Sequence, residues 1–274
     1  MSRLRVTVIG AGKVGTYLAN RFYDNNYIIN MVISKSKNSA VALSKKVHAK
    51  WSTSIKDIPE ESDIIIISVP DPAIKSVADE ITKLDLNFNK VIVFHVSGTI
   101  SYSILDKIKK HGATTFSMHP YQTVASKESS GKMKHSVFYG IEGNRLAIAK
   151  AKKIVRSIKS KFIVVPEEKK IIYHSSAVMI SNFLLALFSS AEELLSQIEK
   201  NKKIRHEFMM SLSSEAYKNY FEKGFKKSIT GPAVRRDTKA IKKHIVALNK
   251  ENVQFGNLYK TFTDIIISRT QNKN

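Results

Sequence analysis

The chain contains no cysteine, which excludes disulfides, thiolate catalysis and Cys-ligated zinc. Long apolar runs are missing too. No stretch reaches the ~18 uncharged apolar residues of a membrane span; the nearest, Ala177–Phe188, is shorter and carries Ser181 and Asn182. The opening Met1-Ser2-Arg3-Leu4-Arg5 runs straight into a strand-like segment without a signal-peptide core. A cytoplasmic protein with no membrane partner is the expectation. Acidic residues are scarce, 23 against 45 Lys and Arg, for a net charge of +22. Such a charge invites a nucleic-acid reading. However, lysine outnumbers arginine and is scattered, with no Arg cluster, interleaved aromatics or binding motif. No specific nucleic-acid partner is expected, since charge alone speaks to solubility and non-specific attraction. The absence of G-x-S-x-G and H-E-x-x-H argues against hydrolase and metal chemistry.

What is present is a globular composition, 43% hydrophobic and 25% charged over 274 residues, with room for two domains. The first 165 residues alternate β-branched runs with amphipathic segments, the pattern of an α/β domain with a mostly parallel sheet. Strands are predicted at 5–9, 28–33, 63–68, 91–96, 114–118, 137–141 and 162–165. Helices are predicted at 14–25, 39–47, 73–84, 102–111 and 145–158. The run Ile64-Ile65-Ile66-Ile67 is apolar at every position, as in a central strand covered on both faces. Beyond Pro166 strand signals vanish. Residues 167–199 read as one long helix, followed by helices near 204–221, 238–249 and 253–268. The expected organisation is a dinucleotide-binding Rossmann domain over 1–165 and an all-α domain over 166–274.

Gly10-Ala11-Gly12-Lys13-Val14-Gly15 matches G-x-G-x-x-G, directly after a predicted strand and opening a predicted helix, the context the motif requires. Gly10 permits the tight turn, Gly12 admits a pyrophosphate, and Gly15 lets the helix pack close to the sheet. NAD sites usually place a carboxylate at the end of the second strand, about 20 residues on. Here no carboxylate occurs from Asn25 to Lys56, and the strand end reads Ser34-Lys35-Ser36-Lys37. These hydroxyls and ammoniums suit a ribose 2′-phosphate, so NADP(H) is the expected cofactor.

Ligands of open α/β sheets lie beyond the carboxyl ends of the strands. Val69 and Pro70 follow the third predicted strand and are assigned to the cofactor wall. Asp71 and Pro72 are accounted for as helix N-cap and N1 residues. His95, Ser97 and Gly98 follow the next strand, with Ser97 and Gly98 assigned to the cofactor and His95 to the substrate. His119 follows the fifth. In the helical half, His174, Val178 and Asn182 are spaced i, i+4, i+8 on one face, facing a ligand or a neighbouring helix. Arg235 and Asp237 reside in Thr230-Gly231-Pro232-Ala233-Val234-Arg235-Arg236-Asp237, as substrate contacts or as plain surface charge and N-cap. Asp237 and His244 stand two turns apart.

The motifs GAGKVG, VPDPAI, HVSGTI, MHPYQTV, HSSAVMISNF and TGPAVRRDT together resemble uncharacterised bacterial proteins that join a Rossmann-like domain to a helical domain of unknown function. Those proteins are distantly akin to pyrroline-5-carboxylate reductase, ketopantoate reductase, deazaflavin-dependent NADP reductases and β-hydroxyacid dehydrogenases. The resemblance implies a cofactor on Gly10–Gly15 and an interdomain cleft gathering His95, Ser97, His119, His174, Asn182, Arg235 and Asp237. Two departures stand out. Arg236 replaces the glycine of the usual Arg-Gly-Asp, and Val178 occupies the place of the catalytic lysine of β-hydroxyacid dehydrogenases. The leading expectation is an NADP(H)-dependent oxidoreductase acting on a small carbonyl or imine, with His174, His119 and Asn182 as catalytic candidates and Arg235 holding an anionic substrate group. A homodimer through the helical domain is expected. The alternative is an NADP(H)-binding regulatory or scaffold protein without turnover, favoured by Val178.

Overall fold

The computed structural model describes residues 3–124 and 137–271. Eight strands form one sheet: β1 Arg5–Ile9, β2 Ile28–Ile33, β3 Lys50–Ser52, β4 Ile64–Ile67, β5 Ile92–His95, β6 Thr114–Pro120, β7 Phe138–Gly143 and β8 Lys161–Val164. Their order is β3-β2-β1-β4-β5-β6-β7-β8. Every pairing is parallel except β6 with β7. Helices α1 Lys13–Tyr23, α2 Lys37–Lys46, α3 Ile74–Ile81, α4 Asp106–Lys110 and α5 Arg145–Ser157 make the crossovers. The strands β1 and β4 are buried apart from Arg5 because helices cover both faces. Two apolar clusters result. One gathers Tyr17, Phe22, Phe94, Phe116 and Tyr139, and the other Ile65, Ile67, Ile81, Val93 and Ile108.

Two elements depart from the sequence reading. The three-residue edge strand β3 lies outside the expected strands. Also, β6 extends two residues beyond 118, because antiparallel β7 supplies partners for His119 and Pro120. His119 therefore projects from a strand rather than a loop.

The chain divides into two compact units, Met1–Ser181 and Asn182–Asn274. The expected boundary at Pro166 coincides with the end of the last strand. The first unit continues past it through α6, Lys170–Val178, because Lys170 and Tyr173 pack back onto the sheet. The expected single helix over 167–199 begins with a 3-10 turn at Glu167–Lys169, passes through a π-helical turn at Met179–Phe183, and ends as α7, Leu184–Leu195. Contrary to the sequence reading, Glu167–Leu195 is long and apolar enough to cross a membrane by length and composition.

The second unit contains α8 Lys202–Lys223, α9 Phe225–Ser228, α10 Pro232–Arg235, α11 Thr238–Glu251 and α12 Val253–Gln271. Among its described residues only Ala233, Gly256 and Thr263 are buried. Large apolar side chains such as Phe183, Leu185, Phe208, Leu212 and Phe221 are exposed.

Candidate active site

The β1–α1 turn forms because three small residues meet there. Gly10 adopts φ +102°, a left-handed conformation that favours glycine. A Cβ on Gly15 would stand 1.9 Å from the Gly10 carbonyl oxygen and 2.4 Å from Ser68 Oγ, so only glycine permits this packing. The Ser68 hydroxyl closes the turn by donating to the carbonyls of Ile9 (3.0 Å) and Gly10 (2.8 Å). A Cβ on Gly12 would meet nothing within 4 Å. That open space adjoins the start of α1, whose N-cap Gly12 offers no side-chain acceptor. The first-turn amides of a helix lack intrahelical partners and, with the helix dipole, favour an anion.

A cavity of about 700 Å³ opens at this turn, lined by Gly10–Gly12, Ser34–Ser36, Thr53–Lys56, Ser68–Pro70, Ser76 and Glu80. Gly10, Ala11, Gly12, Ser34, Lys35, Ser36, Val69 and Pro70 are thus brought together. Lys13, Val14 and Gly15 belong to α1 rather than the cavity wall. Lys37 also stands outside the wall, with its ammonium 5.7 Å from the Trp51 ring centre. The Ser36 hydroxyl caps α2 by accepting from Ser39 N. Thr53, Ser54 and Lys56 complete the wall; their place there depends on β3, which sequence periodicity did not reveal.

Further along the same strand edge, the β5 loop is held by its own hydrogen bonds. His95 is fully buried. Its Nδ1 accepts from Ser97 N (3.2 Å) and its Nε2 donates to the Ser101 carbonyl (3.3 Å). Burial, helped by the Lys170 charge, lowers its pKa to about 3. A neutral imidazole with both nitrogens engaged by backbone has nothing to offer a substrate, which corrects the substrate-binding expectation. The Ser97 hydroxyl is also committed. It accepts from Thr99 N (3.1 Å) and Ile100 N (2.9 Å) and donates to Asp71 Oδ2 (2.9 Å). Ser97 therefore shapes the loop rather than contacting the cofactor through its side chain. Asp71 is not the expected N-cap; its carboxylate also accepts from Thr99 Oγ1 at 2.5 Å.

Gly98 forms a floor for two imidazoles. A Cβ there would lie 2.3 Å from His174 Nδ1 and 2.9 Å from His119 Nε2. The two rings meet edge to face with centroids 5.4 Å apart. His174 Nδ1 is buried and has no hydrogen-bond partner among the described residues. His119 Nδ1 lies 3.0 Å from the Tyr173 hydroxyl. Burial, then the neighbouring His174 and Lys170, lower the His119 pKa to about 4, with Asp71 acting in the opposite sense.

Beneath this cluster Lys170 is buried against Glu142. Its ammonium donates to that carboxylate and to Ser117 Oγ (2.6 Å), and Ser117 donates to Glu142 Oε2 (3.0 Å). Burial lowers the Lys170 pKa, and the bond to Glu142 opposes the shift. Leaving either charge alone here would cost several kcal/mol, by the general cost of about 3–5 kcal/mol for breaking a buried pair. The pair thus pins the first turn of α6 to β6 and β7. Tyr173 and His174 lie on the next turn. Lys170, Tyr173, Glu142 and Ser117 escaped the sequence reading. The i+3 and i+4 spacing from Lys170 to Tyr173 and His174 was the available signal.

The remaining candidates lie in the second unit. Asn182 falls in the π-helical turn. Asp237 caps α11, accepting from Ala240 N at 3.0 Å. His244 Nδ1 pairs with the Tyr259 hydroxyl at 2.7 Å, so Asp237 and His244 are engaged separately. Arg235 is exposed at the end of α10. Arg236 adopts φ +55°, the left-handed conformation that a glycine would take without strain.

The fold and glycine loop define a Rossmann-type nucleotide-binding domain, and residues 1–120 match the Rossmann-like domain family. Residues 137–266 match the domain of unknown function DUF2520. The chain therefore joins a Rossmann-like domain to a DUF2520 domain. A solved structure described as a candidate NADP oxidoreductase of Bacteroides fragilis shares the fold, with a TM-score of 0.77 and 24% identity over 97% of this chain and 98% of that one. An imine reductase of Myxococcus stipitatus in complex with NADP+ has a TM-score of 0.61 and 16% identity, over 96% and 92% of the two chains. Among curated proteins, a glycerol-3-phosphate dehydrogenase [NAD(P)+] of Mesoplasma florum is 34% identical over 95 residues. That match covers 30% of this chain and spans 28% of the relative's length.

Proposed function

We propose that the protein is an NADP(H)-dependent oxidoreductase that reduces a small carbonyl or imine. The observation carrying this reading is the placement of the His119–His174 pair over Gly98, at the same carboxyl edge of the sheet as the glycine-loop cavity. The cavity residues fit a dinucleotide: open space at Gly12 and free first-turn amides for the pyrophosphate, and Lys35 with Lys56 for a 2′-phosphate. The bound nicotinamide would supply the hydride. His174, whose buried Nδ1 has no hydrogen-bond partner among the described residues, delivers the proton, and His119 orients the substrate. The NADP+-bound imine reductase with the same fold supports the substrate class.

The test is NADPH oxidation against a panel of α-keto acids, aldehydes and cyclic imines, with NADPH affinity measured separately. His174→Ala should abolish turnover and leave NADPH binding intact. Undiminished turnover in that variant would refute the catalytic assignment.

We also infer that a second copy of the chain covers the helical region. A unit with so few buried residues has no core of its own, and symmetric homo-oligomers are the common remedy. Light scattering should give a dimer; a monomer at micromolar concentration overturns this inference.

A further inference from the structure

The Tyr173 ring lies over Gly140, the β7 residue paired with His119. A Cβ on Gly140 would stand 2.5 Å from both Tyr173 Cζ and Oη, so the phenol reaches His119 only because position 140 is glycine. Its hydroxyl is 3.0 Å from His119 Nδ1 and 3.5 Å from the His119 carbonyl oxygen. A hydrogen bond with the Gly140 backbone uses an acceptor site on the same oxygen, while burial raises the phenol's pKa. The hydroxyl therefore keeps its single proton. The nearer and better acceptor for it is the neutral imidazole's Nδ1. A neutral imidazole that accepts at one nitrogen carries its proton on the other.

We propose that Tyr173 is a positioning residue that locks His119 as the Nε2–H tautomer, so that a neutral N–H points over Gly98 at an acceptor atom of the substrate. The acceptor is a carbonyl oxygen or imine nitrogen, which gains electron density as hydride reaches the adjacent carbon. A neutral imidazole held in this way polarises such an atom without surrendering its own proton. His174, whose buried Nδ1 packs against the same floor, remains the proton donor of that reading. This division of labour rests on the proposed reductase reading, whereas the tautomer itself does not.

The charged and titratable groups around the ring favour the neutral form on balance. Lys170 below and His174 alongside disfavour a second proton, and Asp71 alone favours one.

The experiment is side-chain 15N–13C NMR of the full chain near neutral pH, with His119 assigned by its loss in His119→Gln. The wild type should carry its proton on Nε2, with a hydrogen-bonded Nδ1. In Tyr173→Phe, which keeps the ring over Gly140, the Nδ1 resonance should move to an unbonded position. In the same variant kcat should fall on the order of tenfold, less than the loss of a whole donor, with NADPH affinity unchanged. A proton on Nδ1 in the wild type, or an Nδ1 resonance untouched by Tyr173→Phe, overturns the proposal. If Tyr173→Phe fails to fold, the wild-type spectrum decides alone. A locked tautomer in a protein without turnover would uphold the lock and sink the reductase reading instead.

Discussion

Histidines show most clearly what a residue's surroundings decide. His95 and His119 have folded pKa values of about 3 and about 4, below the ordinary value near 6.5. Between those limits the unfolded chain binds more protons than the native one, so stability falls as pH drops. The loss starts below about pH 6.5 and is complete once the folded values are passed. His95→Gln should flatten the acid limb of a stability-versus-pH curve measured by urea denaturation. An unchanged slope between pH 6 and 4 would show that His95 is already charged in the native state. Gly98 invites a second substitution. In Gly98→Ala the new methyl group would press on His174 and His119, so turnover should collapse while NADPH affinity holds. Arg236→Gly relieves a left-handed residue, and stability should stay level or rise by up to about 1 kcal/mol; a loss larger than that would refute the strain. The sequence announced Gly98, His95 and His119 as neighbours of strand ends. It could not announce that His95 turns inward, because a strand's alternation tells which face a side chain takes and not what it meets there.

At the scale of elements, the glycine loop was fully legible, since a strand, three spaced glycines and a helix together leave little freedom. Gly12→Val should abolish NADPH binding with an unchanged circular dichroism spectrum, because the space its side chain enters is empty of protein atoms. Retained binding would mark the loop as a structural turn only. The strand β3 was illegible because three residues with Lys50 and Trp51 exposed carry no alternation to read. Its loop nevertheless brings Lys56 to the cavity, and Lys37 is displaced onto Trp51. The two lysines paired by sequence spacing are therefore separated in the structure. Lys35 lines the cavity, and the other lysine on its wall, Lys56, comes from a different loop.

For the whole molecule, alternation of strands and helices foretold the α/β half, and the loss of strand signals foretold the helical half. What periodicity missed was that the helical half buries almost nothing on its own. An apolar stripe shows that a face is covered, without saying by which chain. The proposed cofactor preference belongs to this scale as well, since it would sum several loops and an overall positive charge. NADPH should bind at least tenfold more tightly than NADH at low salt, and the gap should narrow as salt screens the lysines. Lys35→Ala with Lys56→Ala should weaken NADPH alone. Equal affinities by fluorescence titration in the wild type would remove the 2′-phosphate assignment.

Lys170, Tyr173 and His174 reach the sheet from adjoining turns of one helix, so their entry is a matter of rotational phase. One residue added to or removed from the segment between Val165 and Lys170 would turn the helix by about 100°. The ammonium, the phenol and the imidazole would leave their places together. Downstream, the helix already carries what amounts to one inserted residue, the π-helical turn at Met179–Phe183. Because that turn follows His174, it leaves all three side chains in register. A length change between 165 and 174 should therefore displace all three, whereas one beyond residue 178 leaves these three side chains on the sheet.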